Sequence, residues 1–322
     1  MGHFVLIVRF VRARLQRPAD CDTMHYMDTH GFIEITPDMK AWVDGFVKPW
    51  KLKSSEHTFT NLLIWGADGH IRLKEKDDTL FILLEYGIDG VEPFMFAPLT
   101  RDPAGDYCSA MAEAVELCGE LGIQPVFKAT CGQIYDILKN CGGWQLTEDR
   151  GNFDYVYSME ELLTLSGKKL HAKRNHINQF RANNEFEYVK LDGSMKDECM
   201  AVYDRWLEGR DIFDPVERKA IALLMDNMDR LGVVGGGIRI GGRLKAFTLG
   251  EVVDDDMAVV HIEKAEDIPG LYTVINQQFV EHELTGVKLI NREEDMGLEG
   301  LRRAKLSYNP VMMIEKYEAR PL

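Results

Sequence analysis

The residues best equipped for chemistry fall in two short stretches. In MAVVHIEKA, Met257–Ala265, the ionisable side chains His261, Glu263 and Lys264 interrupt an apolar run. A strand alternates faces, so Val259, His261 and Glu263 are expected on one side and Val260, Ile262 and Lys264 on the other. A carboxylate and an imidazole at a strand end suit removal of a proton from a nucleophile. Immediately afterwards, Glu266 to Gly270 turns into a helix whose first N–H groups and dipole suit an anion, with Asp267 as N-cap. The second stretch, NREEDMGLEGLRRAKLSYNP, sets Asn291, Arg292, Glu293 and Asp295 at the C-terminal end of the apolar strand VKLI. In an open α/β sheet that edge is where ligands bind, beside the first stretch. Lys305 and Tyr308 follow on one helix face with Leu298 and Leu301. Each group also has a plainer reading: His261 and Glu263 as a satisfied pair within a sheet, Tyr308 as core, and Arg302, Arg303 and Lys305 as a solvated face.

A third concentration is SGKKLHAKRNHINQFRANN, where Lys168, Lys169, Lys173, Arg174 and Arg181 occur without an acidic residue. With His171, His176 and Phe180 these residues suit the phosphates of a nucleotide cofactor, a tRNA acceptor arm or a lipid headgroup, and equally suit a solvated basic helix. Gly235, Gly236 and Gly237 open no helix, so they read as a strand under close backbone approach rather than a dinucleotide loop. The HxE triplet at 261–263 lacks the downstream PCxxC of zinc deaminases. No metal site is expected.

The elements that must position these residues alternate between helix and strand. The first half shows helical character at Asp38–Val47, a hairpin of Thr79–Tyr86 with Val91–Leu99 about a Gly87–Gly90 turn, and a helix opened by Asp102 and Pro103. A strand at Gln124–Ala129 and a helix at Gly132–Lys139 complete a unit ending near DYVYS, 154–158. The second half gives helices at Lys169–Asn183, Met195–Glu208 and Pro215–Leu231, then strands at Gly232–Ile240, Leu244–Val253 and Met257–Ala265. A helix at Leu271–Glu283, a strand at Val287–Arg292 and a helix at Leu298–Tyr308 follow. The expected class is α/β with mixed sheets, in two domains of similar order, 31–165 and 166–322, after an extension at 1–30 for which Met24 or Met27 is an alternative start.

Composition narrows the partners. The chain has 322 residues, 38 basic against 52 acidic for a net charge of −14, and 45% hydrophobic residues. That balance belongs to a folded acidic protein and excludes a general DNA binder. The six cysteines show neither a CxxC pair nor zinc-like spacing, so reduced thiols in a cytoplasm are expected. The N-terminal apolar run from Phe4 to Val11 is too short to span a bilayer, and no integral membrane segment is expected.

The strings SEHTFTNLLIW (55–65), DYVYSMEELLTLSGKKLHAKRNHINQF (154–180), HIEKA (261–265) and NREEDMGLEGLRRAKLSYNP (291–310) resemble soluble relatives of the C-terminal domain of bacterial phosphatidylglycerol lysyltransferase. The resemblance runs from about Gly31 to the end. It implies two tandem GNAT-like acyltransferase domains, as in the Fem family. It further implies that Met257–Ala265 is a fourth strand splayed from a fifth at Val287–Arg292, with the donor's acyl arm between them and Ile268, Gly270 and Leu271 as the phosphate turn. Tyr308 falls where many such enzymes keep a tyrosine that protonates the leaving group. The glycine-rich phosphate loop of these enzymes is reduced to Gly270, which shifts the expected donor from acyl-CoA toward aminoacyl-tRNA. Lys168, Lys169 and Arg174 would then grip donor phosphates, and Asn291, Arg292, Glu293, Asp295 and Lys305 would meet the acceptor, a small molecule or lipid headgroup. No further cofactor is required. An amine acceptor of pKa about 10.4 is roughly one part in 2,500 neutral at pH 7, a cost of about 4.6 kcal/mol that a base such as Glu263 or His261 would remove.

Overall fold

The structure is a computed structural model that describes residues 30–67, 69–85, 91–208, 210 and 215–322. The N-terminal extension and the Gly87–Gly90 turn lie outside the described residues, save His30. The first part carries β1 (Ile33–Glu34), α1 (Lys40–Trp50), α2 (Phe59–Trp65), β2 (Ile71–Lys76), β3 (Thr79–Leu84), β4 (Phe94–Phe96) and β5 (Leu99–Thr100). It continues with α3 (Tyr107–Leu121), β6 (Phe127–Thr130), α4 (Gly132–Cys141) and β7 (Trp144–Glu148). The second part runs through β8 (Asp154–Ser158), α5 (Met159–Thr164), α6 (His171–Asn183), β9 (Glu187–Leu191), α7 (Lys196–Leu207), α8 (Pro215–Asp226) and α9 (Met228–Leu231). Then come β10 (Val233–Ile240), β11 (Arg243–Val252), β12 (Met257–Ala265), α10 (Leu271–Glu283), β13 (Leu289–Asn291), α11 (Glu299–Leu306), β14 (Met312–Ile314) and β15 (Tyr317–Pro321).

Two mixed sheets result, one of order β1-β2-β3-β4-β6-β15-β7 with β5 on β3, the other β14-β8-β13-β12-β11-β10-β9. The two compact units are accordingly 154–313 and the remainder of the described chain, 30–153 with 314–322. This corrects the expected boundary at 165/166. DYVYS pairs with β13 and so belongs to the second sheet, while the last strand returns to pair with β6 and β7 in the first.

In the first unit the expected hairpin is present, with Leu83 opposite Met95. The cap of α3 is Asp106, which accepts from Ser109 N at 3.1 Å, whereas Asp102 closes only a turn onto Ala104 N. The SEHTF string packs inward: Ser54 meets His57 Nδ1 at 2.5 Å, Thr58 caps α2, and Glu56 pairs with the buried Lys316 beside β15. Cys108 and Cys141 form a disulfide, contrary to the expectation of reduced thiols throughout; folding brings two positions 33 residues apart to a Cα separation of 6.8 Å. Cys118, Cys131 and Cys199 are buried and form no disulfide among the described residues.

In the second unit the β10–β11–β12 meander follows the sequence reading closely. The triple glycine serves close approach: a Cβ on Gly236 would lie 2.1 Å from the Tyr188 hydroxyl. Helix α10 lies on this sheet, with Phe279 and Val280 packed among Ala258, Val260, Tyr155, Tyr157 and Ile290. Its start, Leu271, Val274 and Ile275, packs on Ile177 and Phe180 of α6. Among the described residues no helix is long and apolar enough to cross a membrane, and no group of three or more His, Cys, Asp or Glu side chains could hold a metal ion.

Candidate functional site

The site begins where two parallel strands part. β12 and β13 pair only at Met257↔Leu289, Ala258↔Ile290 and Val259↔Asn291, so beyond Val259 the edge of β12 is no longer paired to β13. On its other edge β12 carries a bulge: Leu249 opposes Ile262, Gly250 opposes Val260, and His261 is the extra residue. Thr248 and Gly250 share a face of β11, so their partners Glu263 and Val260 share a face too. The expected grouping of Val259, His261 and Glu263 on one side is therefore wrong for Glu263. A bulge of one residue inverts every side chain beyond it.

Glu263 consequently faces α10 and the gap. Its Oε1 pairs with Arg292 Nη2 at 2.9 Å and its Oε2 accepts from Asn276 Nδ2 at 3.2 Å. Arg292 lies immediately beyond β13, so this ion pair bridges the splay. The guanidinium sits 4.8 Å from the Tyr308 ring centroid and 5.7 Å from that of Tyr157. Burial is the largest influence and opposes its charge; Glu263 together with the Tyr157 and Tyr308 phenols outweighs it, so the pKa is raised. Tyr308 donates to Thr273 Oγ1 at 3.4 Å, and Lys173 Nζ lies 3.8 Å from the same ring. Burial raises the Tyr308 pKa, with the Arg292 charge opposing, so the phenol is protonated at neutral pH. Arg292 Nη1 and Asn276 Oδ1 are buried here without a hydrogen-bond partner.

His261 lies elsewhere. Its Nδ1 meets Glu293 Oε1 at 2.9 Å and its Nε2 meets Glu251 Oε1 at 3.1 Å. Burial would lower its pKa, but the two carboxylates raise it to about 9, which makes an imidazolium rather than the expected base of ordinary pKa. Asn291 is fully buried, donating to Asp154 at 2.9 Å and accepting from Glu293 N. Asp295 is a buried hub for Tyr155, Arg302 and Gly297 N. Lys305 donates to the carbonyls of Arg292 and Glu293, and burial lowers its pKa to about 8. The hydrogen bonds of these three hold the loop that carries Arg292.

The expected phosphate grips are mostly committed to the fold. Leu271 N donates to Ile268 O, and the N–H groups of Thr273 and Val274 both go to Gly270 O, so the start of α10 offers few free donors. Gly270, at φ +86°, abuts α6 so closely that a Cβ would lie 2.7 Å from His176 O. Arg174 donates to the carbonyls of Leu165 and Gly167, and Lys169 to Asn309 at 2.8 Å. Lys168 is exposed. The sequence reading did not single out Asn276, Thr273 or Tyr157 for this site, and it took Lys173 as one of a basic group suited to phosphates. The amide run Asn276–Gln278, set between the apolar Val274–Ile275 and Phe279–Val280, was a signal for the first.

Comparison with known proteins gives the fold and the family. A conserved protein of unknown function from Bacteroides thetaiotaomicron shares 31% identity at a TM-score of 0.80, covering 90% of this chain and 99% of that one. The structure of L-PGS from Bacillus licheniformis superposes at a TM-score of 0.62 with 14% identity, covering 87% and 91%. A tandem GNAT protein from the clavulanic acid biosynthesis pathway gives 0.52 with 11% identity, covering 89% and 97%. The last two likenesses establish the fold, two GNAT-like domains in tandem. An uncharacterized protein of Mycoplasmoides gallisepticum is 25% identical over 174 residues, 51% of this chain and 54% of that protein, so the match spans about half of that relative. Residues 48–320 match the family described as phosphatidylglycerol lysyltransferase, C-terminal, and the chain belongs to that family.

Proposed function

We propose that this protein is an acyltransferase that moves an α-aminoacyl group from an activated ester, with aminoacyl-tRNA as donor in the cytoplasm, to an amine or hydroxyl acceptor. The observation that carries the reading is the pair of orphaned atoms flanking Glu263. Arg292 Nη1 is buried with no acceptor in full hydrogen-bond geometry, although the Tyr308 hydroxyl interacts with the guanidinium, and Asn276 Oδ1 is a buried acceptor lacking a donor. Buried polar groups are normally satisfied, so each calls for a ligand atom. A simple acyl group offers only a carbonyl acceptor. An α-aminoacyl group offers that carbonyl to Arg292 and an ammonium to Asn276 and Glu263, which supports aminoacyl ester over acyl-CoA. The family's own description makes a lipid headgroup a candidate acceptor.

In this mechanism Glu263 takes the acceptor's proton as its nucleophile attacks the acyl carbon. The new C–N or C–O bond forms, the donor ester bond breaks, and Tyr308 gives its proton to the departing oxygen. Glu263→Gln and Tyr308→Phe should each lower turnover by about 10²- to 10⁴-fold, and full turnover in both would overturn the assignment. Donor class is tested first by thermal shift with aminoacyl-tRNA, uncharged tRNA and acyl-CoAs, since a ligand at about 100 times its dissociation constant adds roughly 2.7 kcal/mol. Stabilisation by the charged tRNA alone is expected. The second reading, a non-catalytic GNAT-like binding or sensing module, draws on Glu263 already accepting at both oxygens. Silence across all donors would favour it.

A further inference from the structure

We propose that Lys173 is a covalent acylation site of this protein, its amine taking the acyl group of a reactive acyl thioester. Three other cations of this region are engaged: Arg292 with Glu263, Lys305 with two backbone carbonyls, and Arg174 with two more. Lys173 differs. Half-buried on α6, its Nζ meets no carboxylate and no hydrogen-bond acceptor among the described residues, and its contact is the face of Tyr308 at 3.8 Å. An amine that is desolvated, faces a second cation and has no carboxylate in direct contact sheds its proton more readily than an exposed one. Burial first, then the charge of Arg292, lowers its pKa to about 8, with Glu263 opposing. The exposed Lys168 and Lys169, a few residues earlier, share none of these constraints, and Lys169 donates to Asn309.

The step balances without a further reactant. The Nζ lone pair attacks the thioester carbon, the N–C bond forms, the C–S bond breaks, and the departing thiolate takes the proton that the nitrogen sheds. At pH 7 an amine of pKa about 8 is neutral in about one molecule in 11, against roughly one in 2,500 for an ordinary lysine. Between pH 7 and pH 9 the neutral fraction therefore rises about 10-fold for the former and about 100-fold for the latter.

The test is incubation of the full-length protein with acetyl-CoA over pH 7 to 9, followed by mass spectrometry of the 162–184 region at each lysine. Lys173 should be acetylated at least about tenfold faster than Lys168 or Lys169 at pH 7, with the shallower pH dependence. Lys173→Arg should abolish the fast site and leave the slow pair unchanged. Equal rates at pH 7, or a rise at Lys173 that parallels its neighbours, would overturn the proposal. Either result leaves the transferase reading untouched, because that reading rests on Glu263, Arg292 and Asn276.

Discussion

Burial by itself would keep the His261 imidazole neutral, and the two carboxylates that clasp it reverse that outcome. With a folded pKa of about 9 against about 6.5 when unfolded, the imidazolium stabilises the fold fully below pH 6.5 and loses that contribution as pH rises through 9. The difference amounts to about 3 kcal/mol. Urea unfolding of the wild type should therefore show a falling midpoint between pH 6.5 and 9, and a flat midpoint would refute the imidazolium. His261→Leu removes the positive member of a buried cluster and leaves Glu251 and Glu293 close together. A loss of about 3–5 kcal/mol at pH 7 is expected, with the deficit shrinking at pH 9. Residue types were a good guide to where such groups gather, since Glu263, Arg292 and Tyr308 were all candidates and converge. Their roles were not legible, because whether an ionisable group faces a gap or a carboxylate depends on a single-residue bulge.

That bulge is a property of the element, and it explains which parts of the fold the sequence announced. Strands β10 to β12 and helix α10 were readable to within a residue or two because long apolar periodicities specify them. β2, β7 and β9, with the sequences IRLKEK, WQLTE and EYVKL, escaped notice. Each is short and mixes charged residues into the strand, and its pairing depends on partners remote in sequence. The β12 bulge leaves no mark in alternation, since Val259 to Ile262 are all buried. The start of α10 offers a direct test of element packing. Gly270→Ala must hold a Cβ at positive φ and 2.7 Å from His176 O. A loss of about 1–3 kcal/mol is expected in denaturant unfolding. Gly286→Ala, where a Cβ would meet nothing within 4 Å, should be close to neutral.

At the scale of the whole chain, each sheet is completed by a strand that adjoins the other unit in sequence. β8 sits between β13 and β14 of the second sheet, and β15 sits between β6 and β7 of the first. A boundary read from local pattern cannot see this, because DYVYS looks like the end of the unit that precedes it. β15 has a specific lock in Lys316, 1% exposed and paired with Glu56 from the SEHTF string, while the neighbouring Tyr317 ring stacks on Tyr135 at 4.1 Å. The arrangement makes residues 314–322 an obligatory part of the first unit. Without them β7 loses the strand through which it joins the sheet, and the edge of β6 is exposed. Deleting 314–322 should abolish hydrogen-exchange protection at β6 and β7 while β10 to β12 keep theirs. Lys316→Met tests the lock alone: it removes the buried cation from Glu56, whose Oε2 keeps the hydrogen bond from Ser55, at a cost of about 1–3 kcal/mol expected in the first unit only. If β7 remains protected after the deletion, the first sheet does not depend on the returning strand.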